Sequence, residues 1–574
     1  MELTLIVVVG VISIVAVASL SDRLGLAAPL GLVIVGIGLS FVPGMPHPSI
    51  APEWVLGAVL PVLLYSSSVT MPAHDFRRNL KAISGLAVIL VAVTTLGAGW
   101  LLHAMLPGIG WPIAFAVAAV ISPTDAVAAT AVGRRMGLPA RLLTLLEGEG
   151  LVNDASALVL LRSAVAAAAS AVSVWGVVGD FFYAVVVAAG IGVVVGLVNV
   201  RIRALLKDTV LNTAVSFVVP FLAYVPAEEA RASGVLAVVV AGLVTGHQSP
   251  KYLAPRDRLS EGVNWRTLAF LLESGLFLLM GLSLKTLIDE VHEQGLSGWN
   301  CLTVGLAASG LCIVARIVFV APLVAAMRAD ARKAESAQPQ LEQMQAHLDA
   351  REPDGRLSAK RKEHLQHRLT KVSADVAFKL SESMGWRGGV VLAWSGMRGA
   401  ITVAAAQTLP ADTPGRAQLI LIAFVVATTT LLAQGLTLPE VIRLVNMPGD
   451  DPARLRDEYV RLVRELTAAA ADALDEAAYD GPDGEEIDPA IVDRVRADTR
   501  IRTTPADGTP KPAPDDVQRA QYLRLRLIAL SAEHDALLAA RSRGTYSSRA
   551  LSNAQQSLDM EAARMQQFSE RIEG

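Results

Sequence analysis

Residues 112–133 read PIAFAVAAVISPTDAVAATAVG. The run is long enough to cross a bilayer, which takes about 20 residues of helix. Its two ends are apolar and its middle is not. Ser122-Pro123-Thr124-Asp125 sets a helix breaker beside a carboxylic acid, at a depth where a charge costs at least about 2.5–3.5 kcal/mol. Pro123 removes a backbone donor and breaks the helix around it, and Ser122 and Thr124 can bond the freed carbonyls. Unwound backbone in lipid is tolerated only where it is buried in protein or lines a cavity. Transporters place ion sites at such breaks, with half-helix ends and unwound carbonyls facing the ion. A plain proline kink is the simpler reading, and the adjacent Asp125 argues against it.

The rest of the chain supports a membrane setting. Of 574 residues, 53% are hydrophobic and 18% charged, against about 25% charged in an ordinary soluble domain. Mean hydropathy is +0.46. A single soluble core and general disorder are both excluded. The net charge of −3 carries no nucleic-acid signature. The two cysteines, Cys301 and Cys312, exclude a disulfide scaffold and a cysteine metal cluster. They read as small apolar core residues. No motif calls for a cofactor.

Hydropathy predicts thirteen spans, at 3–20, 26–42, 54–70, 81–105, 112–133, 139–168, 175–200, 209–225, 232–247, 263–287, 299–327, 387–409 and 416–446. The first reads as a retained span, not a signal peptide, because Glu2 and no basic residue precedes it. Alternate connections carry fourteen Lys or Arg, among them Arg77, Arg78, Arg134, Arg135, Arg141 and Arg258. The intervening connections carry Arg231, Lys285 and Arg416. The positive-inside rule then places the N-terminus outside and the C-terminus in the cytoplasm. Residues 1–447 form a membrane domain with a cytoplasmic insertion at 328–386, whose 341–348 and 360–371 segments read as exposed helix. His364 and His367 there read as a solvated helix face, since nothing nearby completes a tetrahedral metal set. Residues 448–574 form a helical cytoplasmic tail, which reads as a structural hairpin, as a regulatory or dimer-supporting module, or as both. Helices are expected at 452–478, 517–540 and 549–572, with an acidic linker and a 505–514 break between them. The last two should hinge at Gly544. Leu551, Leu558, Met565 and Ile572 recur at heptad spacing with Phe568 in a second seam, a pattern of helix-on-helix packing.

Few charges interrupt the spans. Besides Asp125 they are Glu147, Glu149 and Asp154 in the sixth, Arg316 in the eleventh and Arg398 in the twelfth. Glu149 and Asn153, four apart, share a helix face; Asp154 is turned about 100° from Asn153. Gly396 and Gly399 around Arg398 suggest a second break. Two nearby buried carboxylates repel when both are ionised, and burial disfavours charge. Such a pair can hold a proton or a hard cation, but not both comfortably, and that competition is the physical core of exchange.

These motifs together resemble the monovalent cation:proton antiporter-1 family, the NhaP/NHE-type sodium/proton exchangers, in a bacterial form. The resemblance rests on Ser122-Pro123-Thr124-Asp125, on Glu149-Gly150-x-x-Asn153-Asp154, on Arg316, on Trp394-Ser395-Gly396-Met397-Arg398-Gly399-Ala400 and on Pro61-Val62-Leu63-Leu64-Tyr65. It covers residues 1–447. It implies an all-α polytopic fold of about 13 spans in inverted repeats, with the fifth and twelfth crossing as broken helices, and a homodimer in the bacterial plasma membrane. It implies Asp154 as alternating proton and cation carrier, Asp125 and Thr124 as parts of the ion site, and Asn153 as an orienting residue that goes with electroneutral exchange. Glu149 and Arg316 would form a structural ion pair, and Arg398 would stabilise the crossing. Two positions depart from the family pattern. Ser66 stands where many members have Glu, and Gly150 where many have Ser, which leaves fewer side-chain oxygens for the cation. The cation, Na+, Li+ or K+, stays open.

Other classes fit less well. An intramembrane aspartyl protease could use Asp125 and Asp154 as a dyad, but its Gly-x-Gly-Asp signature is absent. A cation channel needs a continuous filter, and no repeated carbonyl filter sequence is present. A membrane sensor with the tail as output is the remaining alternative.

Overall fold

A computed structural model describes residues 2–24, 27–43, 51–169, 174–350, 356–381, 384–479, 489–500 and 516–573. The regular structure among them is helical. The membrane part begins with α1 (Glu2–Leu24), α2 (Ala28–Ser40), α3 (Pro52–Thr70) and α4 (Ala73–Met105). Next come α5 (Trp111–Ile121), α6 (Ala126–Arg135), α7 (Ala140–Ala169) and α8 (Val174–Arg203). Then follow α9 (Thr209–Glu229), α10 (Gly234–Tyr252), α11 (Pro255–Leu282), α12 (Leu284–Glu293) and α13 (Gly298–Asp349). After α14 (Arg356–Ser381) come α15 (Trp386–Trp394), α16 (Ala400–Gln407) and α17 (Arg416–Val445). The tail holds α18 (Pro452–Tyr479), α19 (Pro489–Arg500), α20 (Asp516–Arg543) and α21 (Ser548–Glu573).

Local sequence explains many of the helix starts. Asp208, Ser233 and Ser297 cap α9, α10 and α13 with side-chain oxygens on backbone N–H groups. Prolines open α2, α5 and α11, where the missing N–H has no intrahelical partner to lose. Among the described residues, each of the thirteen predicted stretches contains helix, with unwound interruptions in 112–133 and 387–409. Among the described residues, nine helical runs are long and apolar enough to cross a bilayer: α3, α4, the α5–α6 run, α7, α8, α9, the α11–α12 run, α13 and α17. The other predicted stretches fall on α1, on α2 and the α15–α16 run, whose helices are shorter, and on α10, which is more polar toward its end.

Two apolar clusters organise these helices. One joins α2, α4, α5, α6, α13, α15, α16 and α17 through residues such as Leu32, Leu86, Val117, Val391 and Phe424. The other joins α3, α8, α9, α10 and the first half of α11 around Tyr65, Ala188, Val238 and Trp265. Helix α7 contributes to both, with Leu145 on one side and Leu151 on the other.

Both insertion segments expected as helix are helical, and 341–348 is mostly exposed. That segment is the far end of α13, which runs unbroken for 52 residues, about 78 Å at 1.5 Å per residue, through Pro322 and Pro339. A proline removes one hydrogen bond from the ladder, and pairing with α14 along the polar half supports the remainder. The base of α14 is fixed by Asp375, 2.7 Å from Arg78 Nε, and by Phe378, whose ring lies under Arg78 and Arg141 at 4.7 and 5.2 Å. His364 is exposed; the side chain of His367 lies outside the described residues.

In the tail, α18 packs against α20 and α21 through Leu462, Leu466, Leu537, Leu551 and Leu558. The hairpin turns at Gly544, whose φ of +68° belongs to the left-handed region. Leu551 and Leu558 are buried and Met565 packs at the edge. Phe568 is 42% exposed, so the expected second seam is absent there; its ring is covered by Arg564 instead. The side chain of Ile572, the acidic linker and the 505–514 break lie outside the described residues. Helix α19 was not expected. Its Ile491, Val492 and Val495 pack with Leu474 and Leu525. The tail docks on the membrane part. Arg258 of α11 pairs with Asp559 of α21, Nε to Oδ2 3.0 Å, and His534 Nε2 lies 2.8 Å from the Pro250 carbonyl.

Candidate functional site

Two broken helices cross at the centre. Helix α5 stops at Ile121, and Ser122, Pro123, Thr124 and Asp125 are unwound before α6 begins. Helix α15 stops at Trp394, and residues 395–399 are unwound before α16. The two unwound strands touch: Asp125 N–H donates to the Met397 carbonyl at 2.7 Å. Gly399 makes the approach feasible, since a Cβ there would run into the Asp125 carboxyl.

Each break leaves backbone groups without intrahelical partners. Side chains supply them. Asp125 caps α6, its Oδ1 accepting from Val127 N–H at 2.8 Å. Arg398, buried, donates through Nε to the Ile121 carbonyl at the end of α5, 3.2 Å, and also to the Gly396 carbonyl. Its backbone N–H donates to Thr430 Oγ1 of α17 at 3.2 Å. Arg316, equally buried on α13, donates through Nε to the Leu392 carbonyl of α15, 3.0 Å. An acid thus sits at a helix N-terminus and two cations at helix C-termini, the arrangement helix dipoles favour.

Arg316 also grips Glu149 with both terminal nitrogens, Nη2 to Oε2 at 2.8 Å and Nη1 to Oε1. Glu149 Oε1 accepts a further bond from Thr124 Oγ1 at 2.6 Å. Asn153 Nδ2 donates to the Thr124 carbonyl at 2.7 Å and to Thr124 Oγ1 at 3.1 Å. The unwound Thr124 is thereby tied to two residues of one α7 face. The Asn153 Oδ1 is buried without a hydrogen-bond partner.

The next face of α7 opens on a cavity of about 260 Å³. Glu147, Gly150, Leu151, Asp154, Ala157, Leu158 and Leu161 line it, the stripe expected of one helix side. Opposite stand Pro123, Thr124, Asp125, Thr130 and Arg134 of the α5–α6 run, Leu63, Ser67 and Thr70 of α3, Glu273 of α11, and Gly399 and Thr402 at the start of α16. The cavity lies where the two apolar clusters meet. Among the described residues, Asp154 has neither an ion-pair nor a hydrogen-bond partner. Polar groups of this kind can hold a hard cation through oxygen ligands.

The crossing therefore brings together Asp154, Asp125, Thr124, Asn153, Glu149, Arg316 and Arg398. The sequence reading overlooked Glu273. The signal was present, because Leu271-Leu272-Glu273-Ser274 puts a lone carboxylate in an apolar run, which merits attention by default. Two expectations change. Ser66 is not in the cavity lining, its Oγ lying 3.4 Å from the Trp265 carbonyl, and the α3 hydroxyls that line the cavity are those of Ser67 and Thr70. Gly150 is more than a missing ligand: a Cβ there would lie 2.8 Å from Ala126 Cβ, so its bareness lets α7 approach the start of α6.

Known proteins are similar to this chain in sequence and in fold. A family described as "Sodium/hydrogen exchanger, transmembrane" matches residues 10–444. An uncharacterized Na(+)/H(+) exchanger of Mycobacterium tuberculosis is 28% identical over 98% of this chain and 96% of its own. The Na(+)/H(+) antiporter ApNhaP of Aphanothece halophytica is 28% identical over 74% of this chain and 70% of its own. A sodium, potassium, lithium and rubidium/H(+) antiporter of Bacillus pumilus is 30% identical over 56% and 49%. In three dimensions the sodium proton antiporter MjNhaP1 of Methanocaldococcus jannaschii superposes with a TM-score of 0.55 at 15% identity, over 78% of this chain and 100% of that one.

Proposed function

Because the chain belongs to the sodium/hydrogen exchanger family, a family of multi-pass membrane transporters and not of enzymes, we propose that it exchanges a monovalent cation for protons by alternating access, with Asp154 as the shared carrier. The observation that carries this is a contrast on one helix. Glu149 is held by Arg316 and Thr124, so its charge is committed. Asp154, one face round, meets the cavity with no fixed partner, so its charge is available to a proton or a cation in turn. Burial of a bare carboxylate is unfavourable; loading with either ion relieves it, and loading with both is unnecessary.

Asp125 and Thr124 complete the site from the unwound strand, and Glu273 adds a carboxylate from α11. The Thr402 hydroxyl and water supply further oxygens. Asn153 orients Thr124 and adds no charge, which suits electroneutral one-for-one exchange. The cation is sodium or a neighbouring alkali ion; the relatives named for sodium alone and for sodium, potassium, lithium and rubidium span that choice. The N-terminus faces outside and the tail the cytoplasm, on the charge bias of the connections. The membrane domain comprises residues 1–447 and the tail 448–574, and the protein works as a homodimer in the plasma membrane.

The test is purified protein in liposomes with an acid interior and a trapped pH dye. Sodium, lithium or potassium added outside should dissipate the gradient saturably, choline should not, and Asp154→Asn should be silent. Normal exchange by folded Asp154→Asn protein would remove Asp154 as carrier. No proton movement with any cation in wild type would remove the exchanger reading.

A further inference from the structure

Glu147 and Arg134 have no part in the mechanism above, yet both line the cavity. They form an ion pair between the last turn of α6 and the second turn of α7, Arg134 Nη2 to Glu147 Oε1. Glu147 stands seven residues before Asp154 on the same stripe of α7, about 10 Å away along the helix axis. Thr130 lies between Arg134 and Asp125 on the α6 side. The pair is therefore at the mouth and the Asp125–Asp154 pair at the floor of one cavity. That mouth opens on the face where the tail docks, for Ala140 at the start of α7 donates its N–H to Asp450 Oδ2 at 3.3 Å.

The pair is poorly suited to holding the fold. The Arg134 side chain is 68% exposed and that of Glu147 27%, and ion pairs this wet contribute little to stability. Its position offers another role. A cation entering from the tail face meets Glu147 before Asp154, and it meets Glu147 already occupied by a tethered cation, the Arg134 guanidinium. We infer that Arg134 and Glu147 form a charge gate at the tail-side mouth of the transport cavity, in which the guanidinium competes with the incoming cation for Glu147 and so sets the apparent affinity on that side. The inference rests on the exchanger reading and adds specificity-determining residues to it.

The two single variants separate a gate from a strut. Glu147→Gln leaves the guanidinium unpaired over the mouth and repels cations. Arg134→Gln leaves an unpaired carboxylate and attracts them. Full-length protein is reconstituted, tail-side-out liposomes are selected on a C-terminal tag, and initial rates are measured against sodium added from each side. At low ionic strength, Glu147→Gln should raise the apparent tail-side KM about 3- to 10-fold and Arg134→Gln should lower it by a similar factor, as a single charge near a partly wet site does. The double variant should return within about two-fold of wild type, and choline chloride should compress all three shifts. The effect should fall on KM more than on maximal rate, and on the tail side alone. Arg134 is exposed enough that Arg134→Gln carries the test even if Glu147→Gln does not fold. Unchanged KM in both variants, or a shift of both in the same direction, overturns the gate while wild-type exchange leaves the exchanger reading standing. Absence of exchange in wild type removes both.

Discussion

Glu149 and Asp154 are acids five residues apart on one helix, and their surroundings differ: Glu149 is held by Arg316 and Thr124, while Asp154 lines the cavity. Removing Arg316 strands the Glu149 carboxylate, buried and 2% exposed, and breaking such a pair typically costs about 3–5 kcal/mol. Arg316→Gln should therefore lower the melting temperature and folded yield steeply. A detergent-solubilised thermal melt with wild-type values would refute the structural role. Asp154→Asn should do the reverse, keeping or raising the melting temperature while abolishing exchange, since it replaces an unpartnered carboxylate with a neutral amide of the same shape. Glu273→Gln tests the residue the sequence reading missed. It should retain exchange with a raised cation KM, by about 3- to 10-fold for one lost charge in a partly wet cavity; a KM equal to wild type would take Glu273 out of the site. The difference in legibility is instructive. Asp125, Glu149, Asn153 and Asp154 announce themselves through spacing on a single helix or beside a proline. Glu273 has no such neighbourhood, and only the packing of α11 against α3 and α16 brings it to the same cavity.

Among the elements, the crossing is where local sequence and tertiary contact have to agree. Pro123 and the Gly396/Gly399 pair fix where α5–α6 and α15–α16 break, and both breaks were readable. What was not readable is how the loose ends are satisfied. The carbonyls of Ile121 and Leu392 are taken by arginines more than 70 residues away, a pairing that belongs to the bundle and not to either segment. The length of α13 was hidden for a related reason: Pro339 and the polar composition after residue 328 suggest an ending, and the partner helix α14 overrides them. Gly150 shows the same limit on a smaller scale. An absent side chain looks like a lost ligand until Ala126 is seen against it. Gly150→Ser should accordingly destabilise by about 1–3 kcal/mol, the usual range for overpacking, without improving cation affinity. Ala126→Gly should restore the melting temperature in the Gly150→Ser background. Failure of that rescue, or a gain in affinity from serine alone, would return Gly150 to the role of vacated ligand.

At the scale of the whole molecule, the tail is held to the helix that carries Glu273. Arg258, near the start of α11, pairs with Asp559, and the first half of α11 packs along α21. Beside that contact His534 faces Pro250, Arg258 and Asp559, with Asp535 on its own helix. Burial, and then the Arg258 guanidinium, hold the His534 imidazole below its ordinary value. The docked tail therefore keeps His534 neutral, while an undocked tail would take up a proton as pH falls through about 6.5. The undocked state binds more protons, so docking strengthens with rising pH. It is complete above the ordinary imidazole value and is lost progressively as pH falls from there toward the lower docked value. Hydrogen exchange on the full-length protein should show α20 and α21 well protected at about pH 7.5 and less so at about pH 5.5, with the first turns of α11 following them. His534→Gln keeps a side-chain N–H for the Pro250 carbonyl and cannot be charged, so it should flatten the pH dependence while leaving protection at the higher pH in place. The same loss of protection in that variant would show that His534 does not carry the acid sensitivity of tail docking.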